Sequence, residues 1–178
     1  MKEDEIFDRV VERLLSEARA MPEKLYHGSG SEMKIGTTIG GSGKKFRSNF
    51  GDVEKILAAF KPPEMASRLT GVYMVGRRSD VYTAGGSDAY VYEVQPLGEV
   101  HPHHFSWAGE VYDYAMDNAD ELTREGPMLS RDSLKAAIAD PQVQRAALNY
   151  WNGVPPKSRK GEVWEYITTE ALILRQVG

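Results

Sequence analysis

Strand-like runs lie towards both ends of this chain with a long helix-like stretch between them, and that order limits the fold more than any single motif. Leu25-Tyr26-His27, Val72 to Val75 and Tyr90 to Val94 read as strands, the last closed by Pro96 and Gly98. Val163 to Thr168 and Ala171 to Val177 return to the same texture. Residues 106–152 read mostly as helix, with Asp140-Pro141 a cap and first-turn pair and Gly153 a stop after Trp151. Strands early and late with helices between predict an α+β domain rather than an alternating, doubly wound one. The 178 residues suit one domain, 1–178, long enough to bury a real core.

Other segments are read from spacing. An N-terminal helix is predicted within residues 1–22. Ile6, Phe7, Val10, Val11, Leu14, Leu15 and Ala18 form a stripe over 5–20, and Pro22 stops it. Such a helix either packs on its own domain or binds a partner. Gly28, Gly30, Gly36, Gly40, Gly41 and Gly43 punctuate the next stretch and let backbone amides approach a ligand. The stretch is no P-loop, since Gly43-Lys44 is followed by Lys45. Residues 52–69 predict a helix interrupted by Pro62-Pro63, and Ser79 to Ala84 a short helical or turn segment.

Composition excludes several function classes. Without cysteine there is no disulfide scaffold, thiol nucleophile or Cys-ligated zinc, and a reducing compartment fits. A formal net charge of -4 leaves no global basic footprint for duplex nucleic acid. The basic runs Lys44-Lys45-Phe46-Arg47 and Lys157-Ser158-Arg159-Lys160 read as solvated loops or local phosphate contacts. No apolar run approaches a membrane span, and Met1-Lys2-Glu3-Asp4-Glu5 is too acidic for a signal peptide, so a cytoplasmic location and no membrane partner are expected.

The chemistry-bearing residues lie in the strand-like runs. Leu25-Tyr26-His27-Gly28-Ser29 ends in a histidine and a glycine, Gly71-Val72-Tyr73-Met74-Val75 carries a tyrosine, and Val163-Trp164-Glu165-Tyr166-Ile167 a glutamate. Brought to one cleft, they are the parts needed to hold and cleave a nicotinamide dinucleotide. His27 would hydrogen-bond the ribose, the Gly28 backbone would clamp the carboxamide, and Tyr73 would offer a flat face to the ring. A carboxylate would stabilise the positive charge that builds on the sugar, and alternation with Val163 and Ile167 favours Glu165. Glu162, three residues earlier, is the rival acid. Read singly, His27 suits a strand end, Tyr73 a sheet surface, and Glu165 a solvent-facing strand position. His101, His103 and His104 are weighed as a metal site against a substrate-facing or surface role; no acidic or cysteine ligand lies close by in sequence.

In these residues the chain resembles the ADP-ribosyltransferase superfamily, in its His-Tyr-Glu branch. His27-Gly28-Ser29 is similar to the first motif, Gly71-Val72-Tyr73-Met74 to the Gly-x-Tyr-Phe motif, and Trp164-Glu165-Tyr166-Ile167 to the catalytic strand of poly(ADP-ribose) polymerases. The N-terminal half also resembles small rifamycin-inactivating ADP-ribosyltransferases, through Lys34-Ile35-Gly36, Phe46-Arg47-Ser48-Asn49-Phe50 and Val91-Tyr92-Glu93-Val94-Gln95-Pro96-Leu97-Gly98. Those enzymes carry an aspartate where this chain has His101-Pro102-His103-His104, and they lack the stretch 106–152. The resemblance implies a split β-sheet cleft with an N-terminal helix and a helical insert, 106–152. It implies NAD as co-substrate, His27, Tyr73 and Glu165 as catalytic residues, and His27, Gly28, Ser29, Tyr73 and Tyr82 as NAD-binding residues. The expected activity is transfer of ADP-ribose to an acceptor that is a small molecule, a protein or a nucleic acid. Rival expectations are an NAD glycohydrolase, a silent ADP-ribose- or NAD-binding module, an RNA 2′-phosphotransferase, and an interaction protein built on the insert.

Overall fold

One seven-stranded sheet frames the molecule in the computed structural model, which describes residues 21–42, 50–157 and 163–177. Its strands are β1 (Leu25–Ser29), β2 (Thr38–Gly40), β3 (Val72–Val75), β4 (Tyr90–Pro96), β5 (His101–His104), β8 (Trp164–Thr168) and β9 (Glu170–Gln176). They lie in the order β2-β9-β4-β1-β3-β8-β5, and every pairing is antiparallel. β6 (Glu121–Thr123) and β7 (Gly126–Met128) form a separate hairpin. Among the described residues there are four α-helices: α1 (Val53–Ala59), α2 (Phe105–Asp117), α3 (Arg131–Ala139) and α4 (Pro141–Trp151). The domain is α+β, and among the described residues no helix is long and apolar enough to cross a membrane.

The sheet is unevenly joined. β1 pairs with β4 over five residues, whereas β1 and β3 share the single pair Tyr26↔Val75. On the far side β3 pairs with β8 over Val72↔Thr168 to Val75↔Glu165, and β8 with β5 over His101↔Ile167 to His104↔Trp164. Two well-bonded halves therefore meet at one bridge.

Helix α4 explains how the helical layer is seated. The Asp140 carboxylate accepts from the amides of Gln142 and Val143 at 2.8 and 3.1 Å, and Pro141 supplies the preset first-turn φ. Val143, Ala146, Ala147 and Tyr150 then recur at steps of three and four and are fully buried, together with Trp151. They pack on Ile56 and Leu57 of α1 and on Val111 of α2. The Trp151 indole donates to the Leu57 carbonyl at 2.7 Å. Each fully buried Val, Leu or Ile side chain contributes about 1.5–3 kcal/mol. Gly153 takes a φ of 60°, which ends α4 as the sequence reading expects.

Two expectations change, and the mostly helical reading of 106–152 is refined. The predicted helix over 52–69 stops at Ala59 and does not resume after the prolines. Residues before a proline disfavour the helical region, and the Lys61 ammonium donates instead to the carbonyls of Pro62 and Met65, both at 2.7 Å. The stretch 106–152 is three helices broken by the β6–β7 hairpin, whose first strand is exposed throughout and so has no burial alternation to read. The histidine run is strand β5 running into α2, with His103 and His104 buried rather than at the surface. The predicted helix 5–20 lies outside the described residues, as do Glu162, Lys44 to Arg47 and Ser158 to Lys160.

Candidate functional site

A cleft of about 360 Å³ opens where β1 and β3 part. His27 to Gly30 of β1 and the turn after it form one wall, Tyr73 to Val75 of β3 another. The loop from Val81 to Ser87 closes one side, and Phe50, Glu54 and Arg68 line it as well.

His27 and Tyr73 meet directly. The His27 Nδ1–H donates to the Tyr73 backbone carbonyl at 2.8 Å, which puts the proton on Nδ1 and leaves Nε2 an acceptor. Burial lowers the pKa of His27, so the ring is neutral at neutral pH. Gly28 is required by close approach. A Cβ there would stand 2.3 Å from both the Ser87 carbonyl oxygen and a Val81 methyl. The bare backbone lets the loop close on β1. Ser29 lines the cleft and its hydroxyl donates to the Ser31 carbonyl at 2.7 Å. Tyr82 is not among the lining residues: its side chain is 73% exposed, while its neighbours Val81 and Ala84 to Ser87 form the wall.

Glu165 is fully buried, not solvent-facing. It lies beside Val75 on β3 and His103 on β5, facing the helices, because alternation puts it on the same strand face as Ile167. Its Oε1 accepts from the Tyr150 hydroxyl at 2.6 Å and from Arg68 Nη1. Its Oε2 has no hydrogen-bond partner among the described residues. Burial raises its pKa, and the Arg68 guanidinium and the Tyr150 hydroxyl act in the opposite direction. Glu165 does not itself line the cleft; Arg68 and Glu54 do.

Arg68 ties the site together. It is 6% exposed, donates from Nε and Nη2 to Glu54 at 3.0 and 3.3 Å, and also donates to the Tyr150 hydroxyl. Its guanidinium lies 5.1, 5.2 and 5.5 Å from the ring centres of Tyr73, Tyr150 and Phe50. Its backbone carbonyl accepts the Tyr73 hydroxyl. Sequence reasoning missed Arg68, Glu54 and Tyr150. Glu54 carries a readable signal, a carboxylate three residues before Leu57 on an apolar helix face. Tyr150 reads as core, and Arg68 sits in a turn without any pattern.

His103 and His104 make structural contacts. His103 donates from Nδ1 to the Tyr150 carbonyl at 3.0 Å and stacks on the Tyr150 ring at 4.6 Å. His104 caps α2, its Nδ1 accepting the Ser106 amide at 3.3 Å. Burial lowers their pKa values to about 3 and about 4. Among the described residues no group of three His, Asp or Glu side chains could hold a metal ion. No protein-family model and no curated protein matches this chain.

Proposed function

We propose that this protein is an NAD-dependent ADP-ribosyltransferase of the cytoplasm, a glycosyltransferase that breaks the nicotinamide–ribose bond and passes ADP-ribose to an acceptor. The carrying observation is the direct bond between His27 and Tyr73 at the single-bridge gap in the sheet, with Glu165 one strand away opposite Val75. The single β1–β3 pair supports reading the gap as a split-sheet cleft of the kind the motifs imply. Its volume falls in the range of small-molecule sites, about 300–1,000 Å³. Gly28 and Tyr73 both line the cleft, which supports a reading in which a flat heterocycle is held there.

When bound, NAD supplies the bond to be cleaved: NAD and an acceptor Nu–H give nicotinamide, ADP-ribosylated acceptor and a proton. His27 Nε2 accepts from a ribose hydroxyl and fixes the sugar. Tyr73 stacks on the departing ring, and the Gly28 backbone orients the carboxamide. Glu165, behind Arg68 in the cleft wall, contributes negative charge towards the sugar as positive charge grows there. The acceptor is a small molecule, a protein or a nucleic acid; with water in its place the same site is an NAD glycohydrolase. A silent ADP-ribose- or NAD-binding module is the second reading, favoured by Glu165 standing behind Arg68 rather than in the cleft lining.

Nicotinamide release from NAD by the purified protein tests the proposal. Glu165→Gln and His27→Ala are each expected to slow release, the former by about 100- to 1,000-fold, typical of losing one electrostatic stabiliser. Wild-type rates in both variants would remove the enzyme reading. Protection by NAD against heat, without release, would favour the binding module.

A further inference from the structure

Between the cleft and the buried acid stands a residue that the reaction outlined above leaves unused. We propose that Arg68 is a positioning residue for that reaction: its guanidinium holds the Glu165 carboxylate charged and oriented, with Oε1 engaged and Oε2 its one uncommitted oxygen. The proposal rests on Glu165 being the acid of the site.

Burial pushes this carboxyl towards its neutral form, which is less able to stabilise a cationic sugar, since desolvation disfavours the charged form. Arg68 supplies an opposing charge in direct contact with Oε1, where Tyr150 adds a second donor at 2.6 Å. A guanidinium suits the task because its planar fork binds two carboxylates at once and does not lose its proton. The fork is held from the other side by Glu54 through Nε and Nη2. The same residue also accepts the Tyr73 hydroxyl on its backbone carbonyl. Arg68 therefore sets the acid and the stacking ring relative to one another, from a place in the cleft wall.

The groups around Glu165 have defined signs. Burial is the largest influence and raises the Glu165 pKa, the like charge of Glu54 of α1 raises it too, and Arg68 and the Tyr150 hydroxyl of α4 lower it. Tyr73 of β3 holds its proton far above neutral pH, and His103 of β5 is neutral above about pH 3. His101, on the same face of β5, makes a 3.8 Å approach to Glu99. Arg68 is thus the cation that opposes burial at Glu165, and Glu54 competes for it.

Carbon-13 NMR of protein labelled at the glutamate carboxyls tests this, with the Glu165 signal assigned by its loss in Glu165→Gln. Arg68→Gln is expected to raise the Glu165 titration by about 1–3 units, the usual effect of removing a contacting opposite charge. Arg68→Lys is expected to restore most of it. Glu54→Gln is expected to move it the other way, and decides the matter if Arg68→Gln does not fold. The acid limb of the pH profile for nicotinamide release should follow each shift. A folded Arg68→Gln with an unmoved Glu165 titration overturns the proposal, as does an unmoved titration in Glu54→Gln. Shifts without nicotinamide release in the wild type support the charge assignment and overturn only the reading as an enzyme.

Discussion

Replacing Tyr150 by phenylalanine removes one oxygen and leaves the ring that packs 4.6 Å from His103 and 5.1 Å from Trp151. That oxygen donates to Glu165 Oε1 at 2.6 Å and accepts from Arg68 Nη1. Both partners are charged, and hydrogen bonds to charged groups contribute about 1.5–3 kcal/mol each. Tyr150 is fully buried, so water does not readily replace the lost contacts. The Arg68–Glu165 and Arg68–Glu54 contacts persist and recover part of the loss. The expected net destabilisation is therefore about 2–3 kcal/mol, a large share of the roughly 5–15 kcal/mol typical of a domain. Urea unfolding at neutral pH reads this as a lower midpoint at unchanged slope. A double-mutant cycle with Glu165→Gln should show coupling of at least about 0.5 kcal/mol, the mark of residues sharing one network. A loss under about 0.5 kcal/mol, the level of an ordinary surface change, would refute the reasoning that this network is closed to water.

Two further outcomes follow from the same geometry. His103 titrates at about 3 when folded against 6.5 ordinarily, so the unfolded chain binds the extra proton between those values. Its contribution to stability is complete above pH 6.5 and is lost as pH falls towards 3, by about 1.4 kcal/mol per unit. His104, at about 4, steepens the slope, and His103→Gln should flatten it in urea titrations across this window; an unchanged slope would count against burial as the cause. Gly28→Ala should cost about 1–3 kcal/mol by overpacking against the Ser87 carbonyl and Val81, and should weaken thermal protection by NAD. Gly30→Ala, whose nearest contact would be the Ser87 hydroxyl oxygen at 4.0 Å, is the matched control for overpacking and should leave stability unchanged.

Local physics wrote much of this fold into the chain. Strands β1, β3, β4, β8 and β9 are visible as aromatic and β-branched runs, and α4 through its Asp140-Pro141 start and Gly153 stop, because each depends on neighbours a few residues away. His27, Tyr73 and Glu165 are visible as residues for the same reason: each is a polar group in an otherwise apolar strand. The β6–β7 hairpin escaped because β6 buries nothing and each strand is only three residues long, and β5 because a His-Pro-His-His run has no strand composition.

What surrounds Glu165 was decided only by tertiary structure. Its cation stands 97 residues away in a turn, the second carboxylate lies 14 residues before that cation, and the hydroxyl comes from a helix 15 residues before Glu165. Nothing local in an arginine reveals that it will be buried, since burial follows from which elements pack over it. Periodicity reports the face a residue presents, and short-range rules report where the chain turns. The pairing of charges across a sheet and two helices depends on the whole chain closing, so the acid is legible in the sequence while its environment belongs to the fold.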